Sequence, residues 1–401
     1  MFSQSGVLLR AAVIASTACV ALSYSQAAVA APADNVPCRA DTLATAIANA
    51  GEGDTISLTP LCVYHLTQGL PTISQDLTIA GNGAMLERSA KAPAFTIFSV
   101  IAGTLTIDDT ELRNGDNAVT VNGTTAAVVV NSSAFVDNHG SEGGAIYSNT
   151  GVSGPVVNKS TFIANQSTDA GGAIYNNSAL GGVFITGSTF TGNVATGDGG
   201  AIWDFSATGE EVDNSRLDNN RASDGGGVWF SPDSGMSFSH DTISGNVATA
   251  DGGGIEAFNF FSLDLRDNTI SRNHAADGGG LYAIGGEVET IEDSDFLANT
   301  ANDGGAIYTG LIGSRDTLTN SKLADNRART DGGGVYYDST EDPFGENWSA
   351  TGSQITGNTA GSAGGGIYNT ENATATVTSS LVQANEPTNC APPGSVTGCT
   401  N

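Results

Sequence analysis

Positive charge is scarce in this chain: 14 Lys plus Arg stand against 42 Asp plus Glu in 401 residues, a net charge of −28. So acidic a surface repels nucleic acid and anionic membranes at long range, and nucleic acid is set aside as a partner. Methionine and proline are also sparse, at three and 11 residues. Glycine is abundant, at 53, yet it follows no Gly-X-Y period, which excludes a collagen triple helix. Beyond the first 30 residues no apolar run is long enough to cross a bilayer as a helix. Amphipathic stretches of ten or more residues are missing between Val128 and Val382, which argues against a helical solenoid. Disorder does not fit either, because Val, Ile, Leu, Phe and Tyr recur throughout in short regular bursts.

The start of the chain has the pattern of an export signal. Arg10 precedes an apolar run from Ala11 to Leu22, and Ala28-Val29-Ala30 supplies a small-x-small cleavage site. Residues 1–30 are therefore expected to be a signal peptide, and the protein to be secreted, extracellular or associated with the cell surface. Ser16 stands where a lipoprotein signal ending at Cys19 needs an aliphatic residue, so no lipid anchor is expected. Of the five cysteines, Cys38, Cys62, Cys390 and Cys399 remain after cleavage. Export makes disulfides the expected state, and four cysteines allow three connectivities. Cys38–Cys62 and Cys390–Cys399 are preferred, since each pair is local and lies at one end of the repeats described next.

Two boxes recur in phase. The first, apolar-x-x-Asn, ends at Asn138, Asn165, Asn193, Asn220, Asn246, Asn273, Asn299, Asn326, Asn358 and Asn385, at intervals of 26 to 28 residues with one of 32. The second, Gly-Gly-Ala/Gly-aliphatic, begins at Gly143, Gly171, Gly199, Gly225, Gly252, Gly278, Gly304, Gly332 and Gly364. A period of this length with three short β-rich stretches matches one coil of an all-β, single-domain, right-handed parallel β-helix, a three-sided solenoid. One coil cannot bury its apolar face alone, so coils stack with strands roughly 4.8 Å apart. The apolar residue of the first box is expected to point inward. Its Asn is expected at a tight turn, bonded by its amide to the next Asn along the axis.

The expected organisation is residues 31–127 as N-terminal cap and first coils, 128–385 as repeats of 26–28 residues, and 386–401 as a C-terminal cap with a Cys loop. Asp41 to Ala50 is the one predicted helix, with Leu43 and Ile47 on its buried face, capping the first coil. The 32-residue coil places extra residues around Glu341–Trp348, where solenoid insertions often form binding loops.

Phe162-Ile163-Ala164-Asn165 followed by Gly171-Gly172-Ala173-Ile174 is similar to the repeats of polymorphic outer-membrane proteins. The likeness spans about residues 128–385 and implies a β-helical surface passenger with a role in adhesion. Leu77-Thr78-Ile79-Ala80-Gly81-Asn82-Gly83 and Asn389-Cys390-Ala391-Pro392-Pro393-Gly394 resemble secreted β-helix proteins of actinobacteria. Members of the first family usually end in an outer-membrane barrel, whose alternating strands are not seen before Asn401. Free secretion or loose surface association, as a monomer, is therefore expected.

Stacking turns each repeat position into a line of side chains. Directly after the aliphatic residue of the glycine box come Tyr147, Tyr175, Trp203, Trp229, Glu256, Tyr282, Tyr308, Tyr336 and Tyr368. Strand alternation sends them outward as an aromatic column suited to a glycan or surface protein. Glu256 breaks the column, with Trp203, Asp204, Phe205, Phe230, Phe258, Phe260 and Phe261 in nearby coils, so this stretch is the candidate binding face. A second column, Asp198, Asp224, Asp251, Asp277, Asp303 and Asp331, precedes the glycine boxes. Each Asp is expected to cap its own turn, with calcium bridging as the alternative and no other cofactor implied.

Catalysis has thin support. Asp108-Asp109 followed by Asn138-His139-Gly140 faintly resembles the β-helix galacturonidases, but the Arg-x-Lys that should follow is missing. Arg272, Arg315, Arg327 and Arg329 look scattered, and no metalloprotease, esterase or phosphate-loop motif occurs. A secreted binding or adhesion protein is the leading reading, with no catalytic residue assigned. A polysaccharide lyase or glycoside hydrolase is the alternative, and a structural surface protein the third.

Overall fold

The computed structural model describes residues 35–401 apart from 152, 208, 232–234, 287, 311–314, 339–346 and 371–373. The predicted signal peptide and most of the 341–348 insertion lie outside the described residues. Among the described residues there is one helix, Ala40–Asn49, which buries Leu43 and Ile47 as expected. The remainder is a parallel β-solenoid of about 12 turns: every strand pair among the described residues is parallel.

A typical coil passes through Ile146–Thr150, Val156–Asn158, Thr161–Ile163 and Gln166–Ser167 before Ile174–Asn176 begins the next. The second and third strands enter a 25-stranded sheet, the first enters a 12-stranded sheet, and the fourth enters a short sheet of two-residue strands. The long sheet bends between its two strands at a residue in the left-handed region, such as Lys159 (φ 50°), Gly187 (φ 60°) or Asn214 (φ 50°).

The core is a set of in-register columns. Phe135, Phe162, Phe190, Leu217, Ile243, Ile270, Phe296, Leu323 and Ile355 lie one above another, all fully buried. Phe135, Phe162 and Phe190 stack with centroids 4.7 and 4.6 Å apart. Burying each such side chain contributes about 2 kcal/mol.

Close packing also explains the paired glycines. Gly199 has φ +67°, which disfavours other residues, and a Cβ added to Gly200 would sit 2.0 Å from the carbonyl oxygen of Gly226 in the next coil.

Hydrogen bonds at one corner run unbroken along the axis. Asn246 donates from Nδ2 to Asn273 Oδ1 (3.1 Å) and to the Leu217 carbonyl (2.9 Å). Its own Oδ1 accepts the backbone N–H of Asn220 (2.9 Å) and the Nδ2 of Asn220 (3.0 Å). The same four bonds repeat in the neighbouring coils. The last rung, Asn385, donates to Asn389 Oδ1 (3.1 Å), and Asn389 donates to the Thr400 carbonyl (2.8 Å). Asn389 therefore ends the ladder immediately before the loop closed by the Cys390–Cys399 disulfide; Cys38–Cys62 closes the other end.

A second ladder was not anticipated from sequence. Ser133, Ser160, Ser188, Ser215, Asp241, Asn268, Ser294, Ser321, Ser353 and Ser380 stand two residues ahead of each apolar box. From Ser133 to Ser353, each backbone N–H donates to the side-chain oxygen of the next member. The signal was present but spread over three residue types, which hid it.

Truncating Asn246 to Ala strands two donors on Asn220, leaves the Leu217 carbonyl without its amide donor and removes one of the two donors to Asn273 Oδ1. Asn246→Ala is expected to lower unfolding free energy by on the order of 3 kcal/mol, against under about 0.5 for the exposed Asn302→Ala, read by denaturant melts. Equal effects from the two variants would contradict the ladder's role.

Candidate functional site

The outer face of the 12-stranded sheet carries the aromatic column. Ile146, Ile174, Ile202, Val228, Ile255, Leu281, Ile307, Val335 and Ile367 are buried, and the residue after each points outward. Tyr147, Tyr175, Trp203, Trp229, Glu256, Tyr282, Tyr308, Tyr336 and Tyr368 are consecutive register partners.

The rings lie face to face. Centroid separations run from 4.3 Å for Tyr175–Trp203 to 5.4 Å for Tyr147–Tyr175. Trp203–Trp229, Tyr308–Tyr336 and Tyr336–Tyr368 are stacked as well, and Tyr282–Tyr308 is tilted by 33°. The faces are therefore used by neighbours above and below, and the column presents ring edges to solvent.

Glu256 fills the break rather than opening it. Its side chain is buried between the register partners Trp229 and Tyr282. Burial, followed by the charges of Asp224, Asp251 and Asp198, pushes this carboxyl up to about 9. It is neutral at physiological pH.

Two residues further along each strand a second outward column begins, with Phe205, Ser231 and Phe258 on successive rungs. Phe205 is 51% exposed and Phe258 42% exposed, and the Phe205 ring lies 6.1 Å from that of Trp203. A groove of about 230 Å³ runs beside Phe205, lined by Asn177, Ser178, Ala179, Ser206, Ala207 and Ser231. Phe261 is also exposed, whereas Asp204, Phe230 and Phe260 are buried. The coils grouped by sequence thus split between face and core, because strand phase alternates direction.

The buried acids form a separate polar interior. Asp204 accepts from Asn176 Nδ2 (2.9 Å) and the Val183 N–H (3.0 Å), and Glu210 accepts the Ser206 hydroxyl. Burial pushes both carboxyls well above the usual carboxylate range. Glu289 and Asp316 share the Thr309 hydroxyl at 2.8 and 2.9 Å. One hydroxyl proton cannot serve two acceptors, so one of these carboxyls is protonated, in line with the raised Glu289. In the serine ladder, burial pushes Asp241 up to about 8.

The aspartate column bonds the next coil instead of its own turn. Asp224, Asp277 and Asp303 accept the backbone N–H groups of Asp251 (2.9 Å), Asp303 (3.1 Å) and Asp331 (2.8 Å). The reason is register: parallel stacking brings the following coil's N–H directly over each carboxylate. Burial raises Asp198 and Asp251 to about 6 and shifts Asp277, Asp303 and Asp331 upward. Among the described residues no three His, Cys, Asp or Glu side chains group to hold a metal ion. Asp108 and Asp109 lie on the long sheet at its bend, with Asp108 held by Asn131 Nδ2 (2.6 Å), while His139 opens the short sheet. They sit on different sheets.

These shifts set a pH dependence. A carboxyl raised on folding holds its proton in the folded state when the unfolded chain has lost it. For Glu256 the stabilisation is fully present below the ordinary 4.5 and is lost as pH rises through about 9. Tm is expected to fall between pH 5 and pH 9, and Glu256→Gln to raise Tm at pH 9 with little change at pH 5. Parallel profiles for the variant and the unaltered chain would contradict this assignment.

No curated protein and no solved structure matches the chain. Residues 159–182 and 187–203, the coils that carry Tyr175 and Trp203, match the Chlamydia polymorphic membrane protein (Chlamydia_PMP) repeat, here wound into a parallel β-solenoid.

Proposed function

We propose that the protein is a secreted or cell-surface β-solenoid that binds glycan or surface ligands as an adhesin-like module. The observation that carries this reading is the exposed Phe205 ring lining a groove of about 230 Å³ among hydroxyl and amide groups, with the exposed Phe258 ring two rungs further along the same column. An apolar ring face next to directional polar groups is what a sugar ring needs, and such a groove is large enough for one. Ring edges of Trp203 and Trp229 extend the surface, and Glu256 keeps its floor uncharged at neutral pH. The repeat match supports a surface location. Asp108, Asp109 and His139, on separate sheets, lend the lyase or hydrolase alternative no shared site.

The test incubates the mature chain with insoluble cellulose, chitin and xylan, measuring protein retained and sugar released. Retention without product is expected, with at least about tenfold weaker binding for Phe205→Ala combined with Phe258→Ala. Product without retention would favour the enzyme. No retention, or retention indifferent to the double variant, would leave a structural surface protein.

The aspartate column is read as backbone capping, not as a calcium site, since Asp224, Asp277 and Asp303 each already engage one oxygen with the next coil. Thermal melts with EDTA or with added calcium are expected to coincide; a rise of several degrees with calcium would restore the metal reading.

A further inference from the structure

The short sheet carries a feature that the sequence does not reveal. Its outward column runs, rung by rung, through Asp116, His139, Gln166, Val194, Arg221, Val247, His274, Thr300, Arg327, Thr359 and Glu386. No carboxylate occurs between the two ends. Arg221, His274 and Arg327 occupy every second rung, which places successive cationic or donor groups about 9.6 Å apart at the strand spacing of stacked coils.

The guanidinium groups are uncommitted. Arg39, Arg113, Arg216 and Arg266, elsewhere on the solenoid, are all ion-paired. Arg221 and Arg327 on the column, Arg272 two residues before His274 and Arg329 two residues after Arg327 form no ion pair or side-chain hydrogen bond, although carboxylates outnumber Lys and Arg threefold. Asp325 and Asp331 flank Arg327 and Arg329 in sequence without pairing with them. Arg327 and Arg329 line a cavity of about 240 Å³ together with Thr300, Thr359 and Gly361. His274 is oriented by a 2.8 Å hydrogen bond between Nδ1 and the Thr300 hydroxyl.

We propose that this stripe binds a linear acidic polysaccharide along the solenoid axis, with one anionic group seated between Arg327 and Arg329. Planar guanidinium groups match carboxylate and sulfate oxygens in bidentate geometry. The alternate-rung spacing suits a chain whose anionic groups repeat once per disaccharide. The overall charge of −28 does not forbid it, because charges more than about 8 Å away are largely screened at physiological salt. The site lies on a different sheet from the groove at Phe205, so the two binding tests fail independently.

The experiment measures retention of the full mature chain on beads carrying polygalacturonate, dextran sulfate or neutral dextran. Free galacturonate serves as a competitor, and salt is varied. Retention on at least one acidic polymer and not on dextran, lost as salt rises, is expected. Arg327→Gln with Arg329→Gln should weaken it at least about tenfold, as should Arg221→Gln with Arg272→Gln, while Lys322→Gln leaves it unchanged. All these side chains are exposed, and unchanged melting temperatures exclude misfolding. Selectivity between the two acidic polymers identifies carboxylate or sulfate as the recognised group. Absence of retention at low salt, or equal retention by the Arg variants, overturns the proposal. Competition by galacturonate at its own monomer affinity, with Arg221 and Arg272 irrelevant, would overturn the extended site and leave only a pocket for a single anion.

Discussion

The buried asparagine ladder is the constraint on which the rest of this molecule depends. Each amide satisfies a backbone N–H, a carbonyl and both neighbouring amides at a fully buried corner. An unsatisfied group there costs roughly 1–3 kcal/mol, so a coil that slips in register loses several bonds together. Fixing the corner fixes the phase of the strands on either side. Inward Phe, Leu and Ile then fall above one another, and outward residues become columns whose chemistry is set by one position in the repeat.

Those columns divide the surface by charge and shape. On the 12-stranded sheet, face-to-face aromatic rings lie near aspartates that spend oxygens on the next coil. The short sheet instead carries unpaired arginines on a column with no carboxylate between its two ends. Within the solenoid, buried acids replace part of the apolar core, as at Asp204 with Glu210 and Glu289 with Asp316, and burial favours the protonated form at Glu210 and Glu289. Burying them unionised avoids the far larger cost of a buried charge.

The fold was legible because Asn165 or Phe162 repeats with little variation, and any parallel stacking makes such a position a column. The ladder of Ser133 to Ser380 escaped notice because Asp241 and Asn268 substitute for serine. The arginine stripe was harder still: Arg221, His274 and Arg327 are separated by 53 residues, two coils at a time, and the identity of the cation changes. Which of Phe205, Phe230, Phe258 and Phe260 faces outward depends on the phase with which each strand leaves its corner, and composition carries no trace of that. The edge-on display of the aromatic column likewise follows from ring stacking between coils, a relation invisible along the chain.

The amide-to-amide bonds of the ladder all point the same way: Nδ2 of one rung donates to Oδ1 of the next, from Asn138 towards Asn385. The solenoid is therefore a polar filament segment with unlike ends, one offering acceptors and the other requiring one. A stack of two copies that continued the ladder would have to be head-to-tail, an arrangement that propagates without limit. Asn389 occupies the acceptor position with a residue of the chain's own terminal loop, pinned by Cys390–Cys399. The donor left over at that end of the ladder is thus satisfied within the chain rather than offered to a further rung.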